Sequence, residues 1–389
     1  MSVPQIEIQI IACIVAVACA IPGVFLVLRR MSLISDAISH SILLGIVVGF
    51  FITEDLNSPI LIVMAALVGV LTVVLVEIIQ KTKLVKEDTA IGLVFPALFS
   101  IAVILIAINA NDIHLDLDSV LIGELAFAPF HRMYIGGIDY GPKAMWTMGS
   151  IMIISIFLLF LFYKELKIST FDAGLSAALG FSPALIHYLL MSVSSVTVVG
   201  AFDAVGAILV VALMIVPAAS AYLLTSDLKK MLLLSVFFGL FSAIAGYWMA
   251  NLLDASISGA MATMLGLVFM GVYLVAPGKG WIANLLKEKR QRKEVRLLTF
   301  LLHLHSLDAE NDAEERAVNH LYYHFKWKEK EAKTILRLAK DNGLIVLKGD
   351  LIYLTEKGME FSESTLTYIV SNREDKLEGI KRDFLLFRG

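Results

Sequence analysis

Residues 6–53 read IEIQIIACIVAVACAIPGVFLVLRRMSLISDAISHSILLGIVVGFFIT, and this stretch decides the fold class. The apolar run 6–28 is long enough to cross a bilayer, which takes about 20 such residues. Arg29-Arg30 ends it, and a second run starts almost at once and continues to Thr53. The small residues Ala16-Val17-Ala18-Cys19-Ala20 look superficially like a signal-peptide cleavage site. Yet Glu7 stands where a signal peptide carries basic residues, and the apolar run continues past them. The segment reads as a retained span. Cys13 and Cys19 lie inside it and suggest neither a disulfide framework nor a zinc cluster.

The rest of the chain extends the pattern. Its 389 residues are 58% hydrophobic and 17% charged, with mean hydropathy +0.81. Soluble chains lie nearer about 45–50% and 25%. Charge is divided unevenly: residues 1–280 hold 12 Lys/Arg and 17 Asp/Glu, and residues 281–389 hold 20 and 18. A transmembrane domain over 1–280 followed by a small cytosolic domain over 289–389 is expected. Candidate spans are 6–28, 34–53, 58–80, 89–110, 143–163, 183–201, 204–224, 231–252 and 258–276, about eight or nine in all. Pro22-Gly23, Pro96 and Pro217 are places where they could bend or break.

Basic residues set the expected orientation. With the N-terminus outside, the inside loops hold Arg29, Arg30, Lys81, Lys83, Lys86, Lys164, Lys167, Lys229, Lys230 and the Lys287–Lys293 cluster. The outside loops hold only Arg132 and Lys143. They are acidic instead, with Glu54, Asp55, Asp112, Asp116, Asp118, Glu124, Asp139 and Asp254. Such loops are either ordinary solvated surface or a face that docks a partner or draws in cations.

Several function classes are excluded. There is no G-x-x-x-x-G-K-[ST] phosphate loop, so any ATP that drives this chain is hydrolysed by another. No Ser-His-Asp pattern, H-E-x-x-H or reactive carboxylate pair is present, so the chain is not itself an enzyme. Buried ionisable residues are too few for a proton relay: Asp36, His40, and at most Asp203 and His187.

Asp36 and His40 form the one polar constellation inside a span. At i and i+4 they share a helical face, and Ser39 and Ser41 place hydroxyls nearby. A carboxylate with an imidazole suits divalent manganese, zinc or iron. A structural hydrogen bond pinning two helices uses the same geometry, and spacing alone does not choose between them.

The neighbourhood does. Residues 23–45 resemble the permease subunits of manganese/zinc/iron ABC importers, whose signature reads LRR-x-SL-x-x-DA-x-SHA-x-LPG. Here Ser41 replaces the usual Ala and Leu44 the usual Pro. Further resemblances follow in order: KEDTAIG at 86–92, LDLDSVLIG at 115–123, Lys164-Glu165-Leu166 with Phe171-Asp172, and VGAILV through PAASA at 205–221. The likeness covers roughly residues 10–275 and implies a type II ABC importer-like permease. It further implies that Asp36 and His40 hold the metal in transit. The segment with Phe171, Asp172, Ala173, Leu175 and Gly180 would be a coupling helix docked on the ATPase subunit. A plain interfacial helix, with Asp172 as cap and Gly180 as stop, is the other reading. Implied partners are that ATPase, an extracytoplasmic metal-binding protein, a second permease chain and membrane lipid.

The tail follows a winged-helix order. Helices are predicted over 295–302, 313–325 and 328–342, then two short strands around Gly349-Asp350, then a last helix from Thr355. It resembles the DNA-binding domain of metal-dependent repressors, a tail some permeases of this family carry. Lys330, Lys333, Arg337 and Lys340 share one helical face, but a net charge of +2 over 281–389 argues against nucleic-acid binding. His320 and His324, at i and i+4, could chelate a regulatory metal. His303 and His305 lie near in sequence.

The combined expectation is an all-α polytopic permease with a small α+β winged-helix-like tail, in a bacterial plasma membrane, N-terminus out and tail inside. Its cargo would be a divalent metal, manganese ahead of zinc and iron, with ATP bound on a partner. The alternatives are a membrane-anchored metal-responsive regulator and a secondary metal transporter.

Overall fold

The computed structural model describes residues 2–55, 58–109, 125–135, 138–307, 314–320 and 324–371. The loop motif at 115–123 and the acidic residues Asp112, Asp116, Asp118 and Glu124 lie outside them. Contacts divide the chain into two compact units, Met1–Trp281 and Ile282–Gly389.

Among the described residues, nine helices in the first unit are long and apolar enough to cross a membrane. They are α1 (Val3–Leu28), α2 (Leu33–Thr53), α3 (Pro59–Lys81), α4 (Glu87–Asn109), α5 (Lys143–Leu161), α8 (Pro183–Val205), α9 (Ala207–Leu224), α10 (Leu228–Leu253) and α11 (Ile257–Val275). Two short helices, α6 (Tyr163–Phe171) and α7 (Ala173–Ala178), lie between α5 and α8. Short polar residues start several spans: Ser58 accepts from Ile60 N–H, Asp227 from Lys230 N–H and Ser256 from Gly259 N–H.

One boundary differs from expectation, and the three prolines break no span. Pro22, Pro96 and Pro217 sit inside continuous helices and end none of them. The sixth span runs to Val205, where Gly206 at φ +80° turns the chain into α9. The expected end, at 201, falls ahead of the charged Asp203, but that residue lies inside the last turn of the helix.

α1 is the central helix. It packs on α5, α8, α9 and α10 and buries Ile11, Val15, Ala16, Cys19, Val24, Phe25 and Leu26. The outer faces of the peripheral spans are apolar and exposed, as with Val63 and Leu67 on α3, Ile101 and Ile104 on α4, and Phe157 and Phe160 on α5. Lipid is the solvent that suits them.

Helix crossings use glycines where backbones touch. A Cβ on Gly45 would lie 2.4 Å from Ala65 Cα on α3, and one on Gly23 would lie 1.9 Å from the Met214 carbonyl oxygen on α9. Close approach of this kind substitutes for a hydrophobic driving force between helices in lipid. Gly45→Val therefore forces α2 off α3, where backbone cannot yield. We expect a loss of about 3 kcal/mol, read as a lowered thermal midpoint in detergent. Gly92→Ala, which meets open space, should leave the midpoint nearly unchanged.

A hairpin of β1 (Arg132–Ile135) and β2 (Ile138–Pro142) precedes α5. Two strands alone are marginal. Arg132 braces this pair by bonding Asp139 across the turn and Glu7 at the start of α1.

The second unit holds α12 (Trp281–Ser306) from its second residue on, α13 (Glu329–Asp341), β3 (Ile345–Lys348), β4 (Leu351–Leu354) and α14 (Glu356–Ser371). Leu297, Phe300, Leu304, Ile335, Ile345, Ile352 and Phe361 form its core. Gly349, at φ +63°, makes the hairpin turn. The helix expected over 313–325 is absent from 314–319, which is turn and bridge. There the chain instead adds a strand-like edge to the hairpin. Val318 N–H donates to the Asp350 carbonyl, Ile352 N–H donates to the Arg316 carbonyl, and Ala317 bridges Leu351. Long-range pairing has overridden local helical pattern.

Candidate functional site

Asp36 and His40 lie in the first two turns of α2, on one face, with His40 Nε2 3.5 Å from Asp36 Oδ1. Their side chains are 43% and 32% exposed, so the pair opens to the outside of the single chain. The remaining surface of this part of α2 is buried, at Ile34, Ser35, Ile38, Ser39 and Ser41. α4 fixes the imidazole: Phe95 stacks on it at 5.6 Å between centroids, and Phe99 meets it edge-on at 6.5 Å.

The neighbouring hydroxyls do other work. Ser39 donates to the Asp36 carbonyl and Ser41 to the Ile38 carbonyl. Thr72 of α3 in turn donates to Ser41. These groups close local backbone acceptors and tie α2 to α3 instead of joining the pair. Among the described residues no cluster of three or more His, Cys, Asp or Glu is placed to hold a metal.

The segment 171–182 is capped at both ends. Asp172 accepts from Leu175 N–H at 2.8 Å and starts α7. Gly180, at φ +86°, ends it, with Gly180 N–H on Ala177 O and Phe181 N–H on Ser176 O. Ser182 then caps α8. Phe171, Leu175 and Leu179 are all at least half exposed, and Ala173 opens the turn between them. The six-residue helix and the residues flanking it thus leave three large apolar side chains exposed in the single chain.

A polar network passed unnoticed in the sequence. Arg29, at the end of α1, reaches Thr170 and Ser169 of α6 and the Nδ1 of His187 on α8. His187 Nε2 lies 2.6 Å from Glu77 Oε1 on α3, and Tyr188 donates to Glu77 Oε2. His187 is thus engaged by protein groups, as a packed histidine should be. Glu77, a lone acid near the end of an apolar span, was the available signal. Asp203 is exposed, in the last turn of α8, not at the head of the next span.

In the second unit the structure brings His320 and His324 together, with centroids 5.7 Å apart, and adds His303 of α12, stacked 4.3 Å from His324. Burial, and next the charge on His324, push the His303 pKa below the usual imidazole value, against the pull of Glu315. The fold therefore prefers the neutral ring. Its stabilising contribution is complete above the unfolded value near 6.5 and is lost as pH falls through the lower folded value. With chelator present, hydrogen exchange around His303 should rise on acidification below about pH 6.5, and His303→Gln should flatten that rise. On α13, Lys333 pairs with Glu329 and Arg337 with Asp341, so two of the four aligned basic groups are already matched by acids.

Known proteins give this geometry a context. The model of the ABC 3 transport family matches residues 6–276. The zinc transport system membrane protein TroD of Treponema pallidum is 45% identical over 92% of this chain and 98% of its own. That match extends past the family model into the tail. The manganese transport system membrane protein MntD of Bacillus subtilis is 44% identical over 72% of this chain and 95% of its own. Among solved structures, PsaBC from Streptococcus pneumoniae in complex with Fab aligns with TM-score 0.62 and 28% identity, over 74% of this chain and 96% of that one.

Proposed function

We propose, on the premise that the chain belongs to the ABC 3 transport family, that it is the permease subunit of an ATP-driven importer of divalent transition metals. Manganese is the leading cargo, and zinc and iron are its competitors. The observation that carries the reading is the Asp36–His40 pair on one face of a span, half-exposed and braced by Phe95. Ionisable side chains facing lipid are costly, so such a pair faces water or another protein. A second permease chain, identical or homologous, closes the path along α2. The ion completes its shell there with water, backbone carbonyls or that chain's side chains.

The working cycle is alternating access. An extracytoplasmic binding protein delivers the ion to the acidic outer face. Asp36 and His40 hold it in transit. A separate ATPase subunit docks on Phe171, Leu175 and Leu179, and its closure moves α7. The Arg29 contacts to Ser169, Thr170 and His187 carry that movement to α1 and α8. With the N-terminus outside, α6, α7 and the tail share the cytoplasmic side of a bacterial plasma membrane. The tail is a winged-helix-like domain that contacts the ATPase or a twin tail. The relatives' names include both zinc and manganese systems, so the cargo must be measured directly.

The experiment is metal accumulation in proteoliposomes holding this chain, its ATPase and a loaded binding protein, with manganese, zinc and iron compared. ATP-dependent uptake of one of them supports the reading. Uptake without ATP that follows a proton gradient would replace it with a secondary transporter. Absence of uptake in a complex that hydrolyses ATP would remove the metal assignment.

A further inference from the structure

Residues 276–280 join α11 to α12, and the stretch that follows Trp281, residues 282–293, reads IANLLKEKRQRK. Farther along α12, Leu297, Phe300, Leu301 and Leu304 enter the core of the second unit. The opening stretch does not. Every residue from 284 to 293 is exposed, and so is Ile282. Ile282, Leu285 and Leu286 thus present large apolar side chains that no part of the chain covers. Basic residues follow at once: Lys287, Lys289, Arg290, Arg292 and Lys293, against one acid, Glu288. Arg290 pairs with Glu294, whereas Lys287, Lys289, Arg292 and Lys293 have no acid within ion-pair distance among the described residues. Helical spacing gathers Ile282, Leu285, Leu286, Lys289, Arg292 and Lys293 on one face, at i, i+3, i+4, i+7, i+10 and i+11. That face is apolar where it begins and cationic about one to two turns later.

We propose that this face of α12 binds the anionic phospholipid of the bilayer that α11 crosses. Ile282, Leu285 and Leu286 enter the upper acyl region, and Lys289, Arg292 and Lys293 lie on headgroup phosphates. The order of the two halves favours lipid over an acidic protein. Oil gives way to phosphate at a bilayer surface as apolar gives way to basic along this face. A rise of 1.5 Å per residue carries Lys289 to Lys293 about 4–10 Å beyond Leu286. The headgroup region is about 5–8 Å deep on each side of the hydrocarbon, and the long stems of Lys and Arg take up the difference. Continuity favours lipid too, because the basic cluster stands directly after a span, where attraction to an anionic leaflet is strongest. The same helix carries Leu297, Phe300 and Leu304 into the second unit's core, so lipid held at 282–293 anchors that unit to the bilayer. Neither the cargo nor the ATPase enters this argument, which needs only that the first unit spans a membrane.

The test uses the full chain in nanodiscs, without ATPase, ATP or metal, so its outcome is independent of transport. One set of discs is phosphatidylcholine, and the other adds phosphatidylglycerol. Hydrogen exchange of peptides from 282–293 is read by mass spectrometry, with peptides from α14 as the internal reference. Each Lys or Arg near an anionic surface contributes roughly fivefold to partitioning, so three should slow exchange about 10–100-fold when phosphatidylglycerol is present. Concentrated salt should shrink the difference by screening the phosphates. Lys289→Gln/Arg292→Gln/Lys293→Gln should abolish it. These side chains are exposed, so exchange in α14 should not move. Lys289→Arg/Lys293→Arg keeps the charge and should keep the difference. The proposal is overturned if 282–293 exchanges equally in the two kinds of disc, or if the difference survives the triple Gln variant. Protection that appears only when the ATPase is added, alike in both discs, would also overturn it and give this face to a protein.

Discussion

Asp36→Ala and His40→Ala should each lower ATP-driven metal accumulation on the order of 100-fold, while the chain still assembles with its ATPase. The size follows from ligand number. On the proposed reading Asp36 and His40 are the two side-chain ligands of the first unit, so removing either halves its contribution, and even outer-sphere losses cost about 10–100-fold in affinity. Folding should survive, because both side chains are part-exposed and the buried surface of this part of α2 belongs to other residues. Asp36→Asn and His40→Gln sharpen the test by keeping the shape and removing ligand strength. Ser39→Ala is the control. Its hydroxyl donates to the Asp36 carbonyl, so transport should change little. If Asp36→Asn and His40→Gln both transport normally, the pair merely pins α2 and the ligands lie elsewhere.

Why these residues were legible in the sequence, and others were not, has a physical answer. A span announces itself through 20 consecutive apolar residues, and an i, i+4 pair within it depends on helix geometry alone. The cap at Asp172 and the stop at Gly180 are likewise local, set by backbone groups within three residues. The Arg29–His187–Glu77 network joins residues more than a hundred positions apart, and no periodicity encodes such a meeting. The tail shows the same division. The hairpin around Gly349-Asp350 was readable from its turn residues, but the strand-like edge at 316–318 exists only because the hairpin offers it partners. His303 joined His324 for the same reason. Their spacing says nothing, and the packing of α12 against the hairpin core says everything.

Leu175→Asp should produce the opposite defect to Asp36→Ala: a chain that keeps its metal ligands and loses its ATPase. α7 is too short to be stable by itself. It persists because Asp172 caps it, a contact worth about 1 kcal/mol, and because Gly180 takes a positive φ that costs other residues about 1–2 kcal/mol. What it displays is Phe171, Leu175 and Leu179, which are exposed in the single chain. Burying one leucine in a partner's groove contributes about 1.5–3 kcal/mol, so placing a carboxylate there should weaken association roughly 10–100-fold. Since Leu175 supports none of the chain's own core, thermal stability in detergent should hold. Gly180→Val should give the same loss by another route, unwinding the end of α7 without changing its apolar face. Co-purification of the ATPase, read beside accumulation, separates the cases. Asp36→Ala retains the ATPase and loses transport, whereas Leu175→Asp and Gly180→Val lose both. If Leu175→Asp retains the ATPase at wild-type affinity, 171–182 is an interfacial helix and the docking surface lies on another part of the chain.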